Sequence, residues 1–224
     1  MYPSFCVPSS VIPHTKIHFN NNQEFQATET ALEKIKSRSN GRQLIEEINR
    51  YTDKTRDIDI IVVRDEPTSS KGTLNHEIRR IYSITNDPER TKYKVLVDML
   101  NSPHGGRKRG EGISCQIKFN PSESRYVDKD GIGWRVNTDS TFAFTSLAHE
   151  LVHAYHHIHG SHIKPDPEDP FTDIEEDRAI GIHPYHGYYL SENGIRRDHG
   201  LPERSTRFDR NEVQPIINQY FPMT

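Results

Sequence analysis

The segment His149-Glu150-Leu151-Val152-His153 sets two imidazoles four positions apart, with a carboxylate directly after the first. On a helix, residues i and i+4 are neighbours on one face, so both imidazoles project the same way. Two neutral imidazoles one turn apart can hold one Zn²⁺ at about 2.0–2.1 Å each and leave it open to a further ligand and to water. Glu150 points about 100° round the helix from His149, so it is poorly placed to share the ion. Its place suits a general base that takes the proton of a metal-activated water.

The flanking residues supply the helix. Phe144, Leu147, Ala148, Leu151, Val152 and Tyr155 recur at i, i+3, i+4, i+7, i+8 and i+11, the spacing of one buried stripe. A polar helix edge with merely structural histidines is the plainer alternative. The coincidence of motif and amphipathic helix favours the metal.

An open catalytic zinc usually takes three protein ligands. His159 has the offset of a third histidine in H-E-x-x-H-x-x-G-x-x-H, but that pattern needs a glycine at position 156, which is His here. The methionines, Met1, Met99 and Met223, also offer no convincing Met-turn. The better source is a carboxylate on a following helix. Asp173-Ile174-Glu175-Glu176-Asp177-Arg178-Ala179-Ile180 resumes helical character up to Gly181, after a proline- and acid-rich loop from Ser161 to Pro170. Of two adjacent carboxylates, one can ligate while the other orients a ligand. An acidic first turn also favours the helix dipole without any metal.

A chain of 224 residues, 32% hydrophobic, can bury one sizeable core. No apolar run approaches the ~20 residues of a transmembrane helix, and the N-terminus lacks a basic secretory segment. Two cysteines, Cys6 and Cys115, make no disulfide framework and fit a reducing compartment. With a net charge of −3 there is no field to attract nucleic acid. Arg196, Arg197, Arg204, Arg207 and Arg210 are interleaved with Asp198, Glu203 and Asp209, as on a solvated surface.

The other elements follow in order. Residues 1–22, with three prolines, read as a flexible leader, and residues 23–224 as a single domain. A helix is expected from Gln23, with Phe25, Thr28, Leu32 and Ile35 on one side and Asn40-Gly41 as a left-handed stop. A second helix turns Leu44, Ile45 and Ile48 inward. Ile58 to Val63 reads as a core strand, Ile78 to Ile84 as a second strand, and Tyr93 to Leu100 as either strand or helix. Asn101 to Gly112 is a glycine-rich basic loop without phosphate-loop spacing. Ile113 to Phe119 alternates as a half-buried strand ended by Asn120-Pro121. Tyr126-Val127 and Trp134 to Val136, joined through Asp130-Gly131, suggest a hairpin. Lying just before the histidine helix, this hairpin is placed to border a cleft and pair with an extended substrate. The fold expected is α+β and zincin-like, a small mixed sheet packed on the H-E-x-x-H helix, with the helices of residues 23–52 on the far side.

Leu147 to Ala154 (LAHELVHA), followed by Glu175 to Gly181 (EEDRAIG), resembles the zinc-protease core of clostridial neurotoxin light chains. With Gly110-Glu111-Gly112 and the run from Glu192 to Arg204 (ENGIRRDHGLPER), it is more similar still to the NleD-type effector zinc peptidases injected by type III secretion. The resemblance covers roughly the C-terminal half. It implies one Zn²⁺ per chain on His149, His153 and Glu176, Glu175 behind the ligands, and catalysis by Glu150 and Arg204. It also implies delivery into a host cytosol and a host protein substrate, namely stress-activated MAP kinases cut in the activation loop; apart from the resemblance, a monomer is expected. The effectors carry R-x-x-Y after Gly-Leu-Pro, whereas this chain reads Arg204-Ser205-Thr206-Arg207. The missing hydroxyl leaves Arg207, Tyr185, Tyr188 and Tyr189 as candidate oxyanion or substrate contacts. A non-catalytic module that binds a host protein, with structural zinc or none, is the alternative.

Overall fold

β-branched runs and amphipathic runs alternate along the chain, and the sheet they build has one covered face. The computed structural model describes residues 3–85, 87, 90–103, 109–164, 173–210 and 212. Its strands are β1 (Phe5–Pro8), β2 (Thr15–Phe19), β3 (Ile58–Val62), β4 (Ser69–Thr73), β5 (Ser114–Phe119), β6 (Ser124–Val127) and β7 (Gly133–Val136). Its helices are α1 (Asn22–Lys36), α2 (Ser39–Tyr51), α3 (His76–Ile81), α4 (Thr91–Asn101), α5 (Ala143–His159), α6 (Ile174–Ile180) and α7 (Glu192–Asp198). The main sheet runs β1-β2-β3-β5-β4. Strands β2, β3 and β5 are parallel, while β1 and β4 close the two edges antiparallel. β6 and β7 form a separate hairpin.

The period of two decides which face is covered. Ile58, Ile60 and Val62 of β3 and Cys115, Ile117 and Phe119 of β5 are buried in one core with the apolar stripes of α1, α2 and α5. Lys16, Asp59 and Lys118 alternate with them on the other face. The helices of residues 23–52 were expected across the sheet from the histidine helix; they share its face and pack directly on α5. Helix α5 is therefore buried nearly all round, from Ala143 to Ile158, with His149, its side chain 12% exposed, the exception within that span.

Several expectations are corrected. The stretch read as a flexible leader supplies β1 and β2 and fully buries Ile12 and Ile17; its alternation spans only five residues and escapes a periodicity argument. Gly41 stops no helix. It lies inside α2, where a Cβ would come within 2.0 Å of the Ile35 carbonyl oxygen, so its lack of a side chain lets α2 approach the end of α1. Residues 78–84, read as a strand, belong mostly to α3, because the Asn75 side chain caps the Ile78 N–H. Residues 93–100 resolve to helix, and α4 packs Tyr93, Leu96 and Leu100 on Ile78 and Ile113. Strand β4, polar and glycine-containing, had no signature. The basic loop lies outside the described residues over 104–108, as does the acid-rich loop from 165.

Gly112 and Gly160 form the joint between β5 and the end of α5. Both have positive φ, 88° and 73°, and a Cβ on Gly112 would come within 1.9 Å of the Ile158 carbonyl oxygen. Glycine at both places seats the metal-bearing helix against the sheet.

Candidate metal centre and active site

α5 brings His149 and His153 together, with their Nε2 atoms 3.1 Å apart. α6 supplies the third group, because the Asp173 side chain caps the Glu176 N–H and starts the helix beneath the two imidazoles. Glu176 Oε1 lies 3.0 Å from His153 Nε2, and its Oε2 lies 3.3 Å from His149 Nε2. Three ligands at about 2.0–2.1 Å from a tetrahedral ion stand roughly 3.3–3.4 Å from one another. Each Glu176 oxygen meets a different imidazole at close to that separation, so these three side chains can hold a metal ion.

Each imidazole is fixed from behind. Glu175 Oε1 lies 3.3 Å from His153 Nδ1 and 2.5 Å from His156 Nδ1, and its Oε2 accepts the Ile163 N–H at 3.0 Å. Glu192, at the start of α7, lies 3.1 Å from His149 Nδ1. With carboxylates on both Nδ1 atoms, the protons sit there and the Nε2 lone pairs face the triangle.

The charges follow this wiring. Burial works against protonation of His149, yet Glu176 and Glu192 more than offset it, and its pKa lies above the ordinary value. The same contest, with Glu175 and Glu176 as partners, raises His153 further. Burial would push the Glu176 carboxyl up, but the two imidazoles hold it well below its usual range. A divalent cation held by these groups would take over the charge balance that protonation of the imidazoles otherwise supplies to Glu176. His156, fully buried, is pulled down to about 4 by desolvation and donates to Glu175 as a neutral ring.

Glu192 is 1% exposed and serves three partners. Its Oε1 accepts from Arg196 Nε at 2.7 Å, and its Oε2 accepts from Arg204 at 3.1 Å as well as meeting His149. Asn193 grips the Arg204 backbone at both N–H and C=O, at 2.7 and 2.8 Å. Arg204 also donates to the Arg207 carbonyl at 2.6 Å, while its Nε is buried without a partner among the described residues. Such a donor costs free energy unless something accepts from it.

Glu150, 9% exposed, shares a cavity of about 530 Å³ with His149, His153, Glu176 and Arg204 and has no hydrogen bond to another described side chain. Glu123, Arg125 and Arg135 of the hairpin region and Arg207 line it too. The sheet edge that borders it is β4, through Ser69 and Ser70, rather than the hairpin alone. Tyr185, Tyr188 and Tyr189 do not line it: Tyr188 packs on the core, and Tyr189 is largely exposed. Sequence reasoning passed over Glu192, Asn193 and His156. The Glu192–Arg196 spacing of four on a capped helix was a signal for the first.

A family model for M91 peptidases, described as "Effector protein", matches residues 13–206. No curated protein matches the chain. Among solved structures, the chain is similar to the catalytic domain of Clostridium botulinum neurotoxin serotype F, at 13% identity and a TM-score of 0.44, with 92% of this chain and 57% of that one covered. It is also similar to the botulinum neurotoxin serotype HA light chain, at 12% identity and a TM-score of 0.41, with 92% and 56% covered. The chain thus spans a little over half the length of either structure.

Proposed function

The chain belongs to the M91 peptidase family of effector proteins, and we propose that it is a zinc-dependent endopeptidase acting on host proteins. The observation that carries the reading is the triangle of two Nε2 atoms and one carboxylate, with sides of 3.0, 3.1 and 3.3 Å on the wall of an open cavity. His149, His153 and Glu176 would hold one zinc per chain. When bound, the ion supplies Lewis acidity, lowering the pKa of a water and drawing charge from the scissile carbonyl.

The chain's own groups do the rest. Glu150 accepts the proton of the attacking water and returns it to the leaving amine. Arg204, on the wall of the same cavity, donates to the oxygen that gains charge as the carbonyl becomes tetrahedral. Glu192 and Asn193 hold Arg204 in place from α7. The unpaired edge of β4 offers backbone groups to an extended peptide. Among host proteins, stress-activated MAP kinases cut in the activation loop are the first to test, after delivery into the host cytosol by type III secretion; the effector-like motifs support that choice.

The test is to incubate host-cell lysate with zinc-loaded wild type, with its Glu150→Ala form and with chelator, and to map new protein termini. New termini with the untreated wild type alone are expected. Equal termini with Glu150→Ala would overturn the reading.

A further inference from the structure

The cavity at the triangle and a second one of about 580 Å³ share Glu123, Arg135 and Asp209 in their walls. A polypeptide held across the metal would run past these residues. The second cavity is lined by Asp65, Glu66, Glu123 and Asp209 against Arg64 and Arg135, so acid is in excess before any pairing is considered. Pairing then removes the cations. Arg64 is held by Glu24 at 2.7 Å, and Asp209 takes both Arg125 at 3.2 Å and Arg135 at 3.3 Å. Glu66 is spent on Lys118.

Glu123 is left underserved. It is 3% exposed, accepts the Thr68 backbone N–H, and has Arg135 as its ion-pair partner only at 3.9 Å, beyond hydrogen-bonding distance. Burial raises its carboxyl pKa, and the two nearby guanidiniums do not fully offset that. A buried carboxylate short of donors on the wall of a binding groove is stabilised by a cationic side chain that arrives with the ligand.

We propose that Glu123 is a specificity-determining residue that selects a lysine or arginine side chain of the substrate at one fixed position beside the scissile bond. This rests on the peptidase reading, because it is the substrate of that same groove that Glu123 would meet.

The test begins with the zinc-loaded Glu150→Gln chain, which binds peptides without turning them over, presented with a peptide library and its bound fraction sequenced. Lysine and arginine should be enriched over norleucine at one register, by at least about 30-fold for a buried charge pair. Adding Glu123→Gln, which keeps an acceptor for the Thr68 N–H, should abolish the enrichment, and adding Glu123→Asp should keep part of it. A merely structural Glu123 would change stability in these variants without moving the residue preference. Absence of enrichment, or its persistence with Glu123→Gln, would overturn the inference. Cleavage by wild type without basic preference would do so too and leave the peptidase reading standing. Lysine-selective binding without any cleavage would support Glu123 and sink the peptidase reading.

Discussion

His149 and His153 sit one turn apart on one helix, yet they are fixed from different directions by different chemistry. His153 leans on Glu175, whose second oxygen takes a backbone N–H and stands 3.9 Å from Arg178, and whose first oxygen also meets the neutral ring of His156. His149 leans on Glu192, whose charge is answered by Arg196 and by Arg204. The first support runs on to Arg178 and the Ser161 carbonyl, away from Arg204. The second also holds Arg204, so the proposed ligand His149 and the proposed oxyanion donor would share one buried carboxylate. A site can thus be asymmetric in function while its two imidazoles look alike.

The largest effect should come from the group that neither side supports. Glu150→Ala should lower kcat by roughly 10³-fold or more while zinc content and unfolding midpoint stay near wild type; metal analysis beside a peptide assay checks it. Arg204→Lys keeps the charge and removes the fork, and should lower kcat by about 10²-fold with little change in KM. If KM rises alone, Arg204 grips substrate and the coupling is broken.

The contrast itself is sharpened by two matched variants. Glu175→Gln and Glu192→Gln should each weaken zinc binding by about 10- to 100-fold. Saturated with zinc, Glu175→Gln should recover its turnover, whereas Glu192→Gln should not, because Arg204 has lost its anchor. Equal recovery would erase the distinction between the two sides.

The smallest effect is on stability against pH. Burial would raise the Glu192 carboxyl, but Arg204 and Arg196 hold it well below its usual range. A carboxyl lowered in the folded chain adds stability above its unfolded value, about 4.3, and loses it as pH falls through the folded value. With chelator present, wild type should be more stable than Glu192→Gln at neutral pH, and the gap should shrink below about pH 4. A gap that stays constant in thermal unfolding would assign the loss to packing.

The parts of this account that were legible in the sequence are those written at a fixed spacing. His149, Glu150 and His153 are close in sequence and in space, and α5 declares itself by its apolar stripe. Glu175 and Glu176 could be placed on a return helix but not separated by spacing; only the triangle puts Glu176 on the Nε2 side and Glu175 on the Nδ1 side. Glu192 was illegible as a partner of His149 because 43 residues separate them and only the packing of α7 on α5 joins them. The N-terminal strands and β4 were lost for another reason. They are four or five residues long, and their stability comes from neighbours in the sheet rather than from local propensity.

The central claim is that one ion sits among His149, His153 and Glu176. Native mass spectrometry of the zinc-loaded chain tests it most directly, run beside His153→Ala and Glu176→Ala. The expected result is one zinc per wild-type chain, removed by chelator, and none retained by either variant at the same free metal. A wild-type chain that carries no zinc, or variants that keep it, would contradict the account.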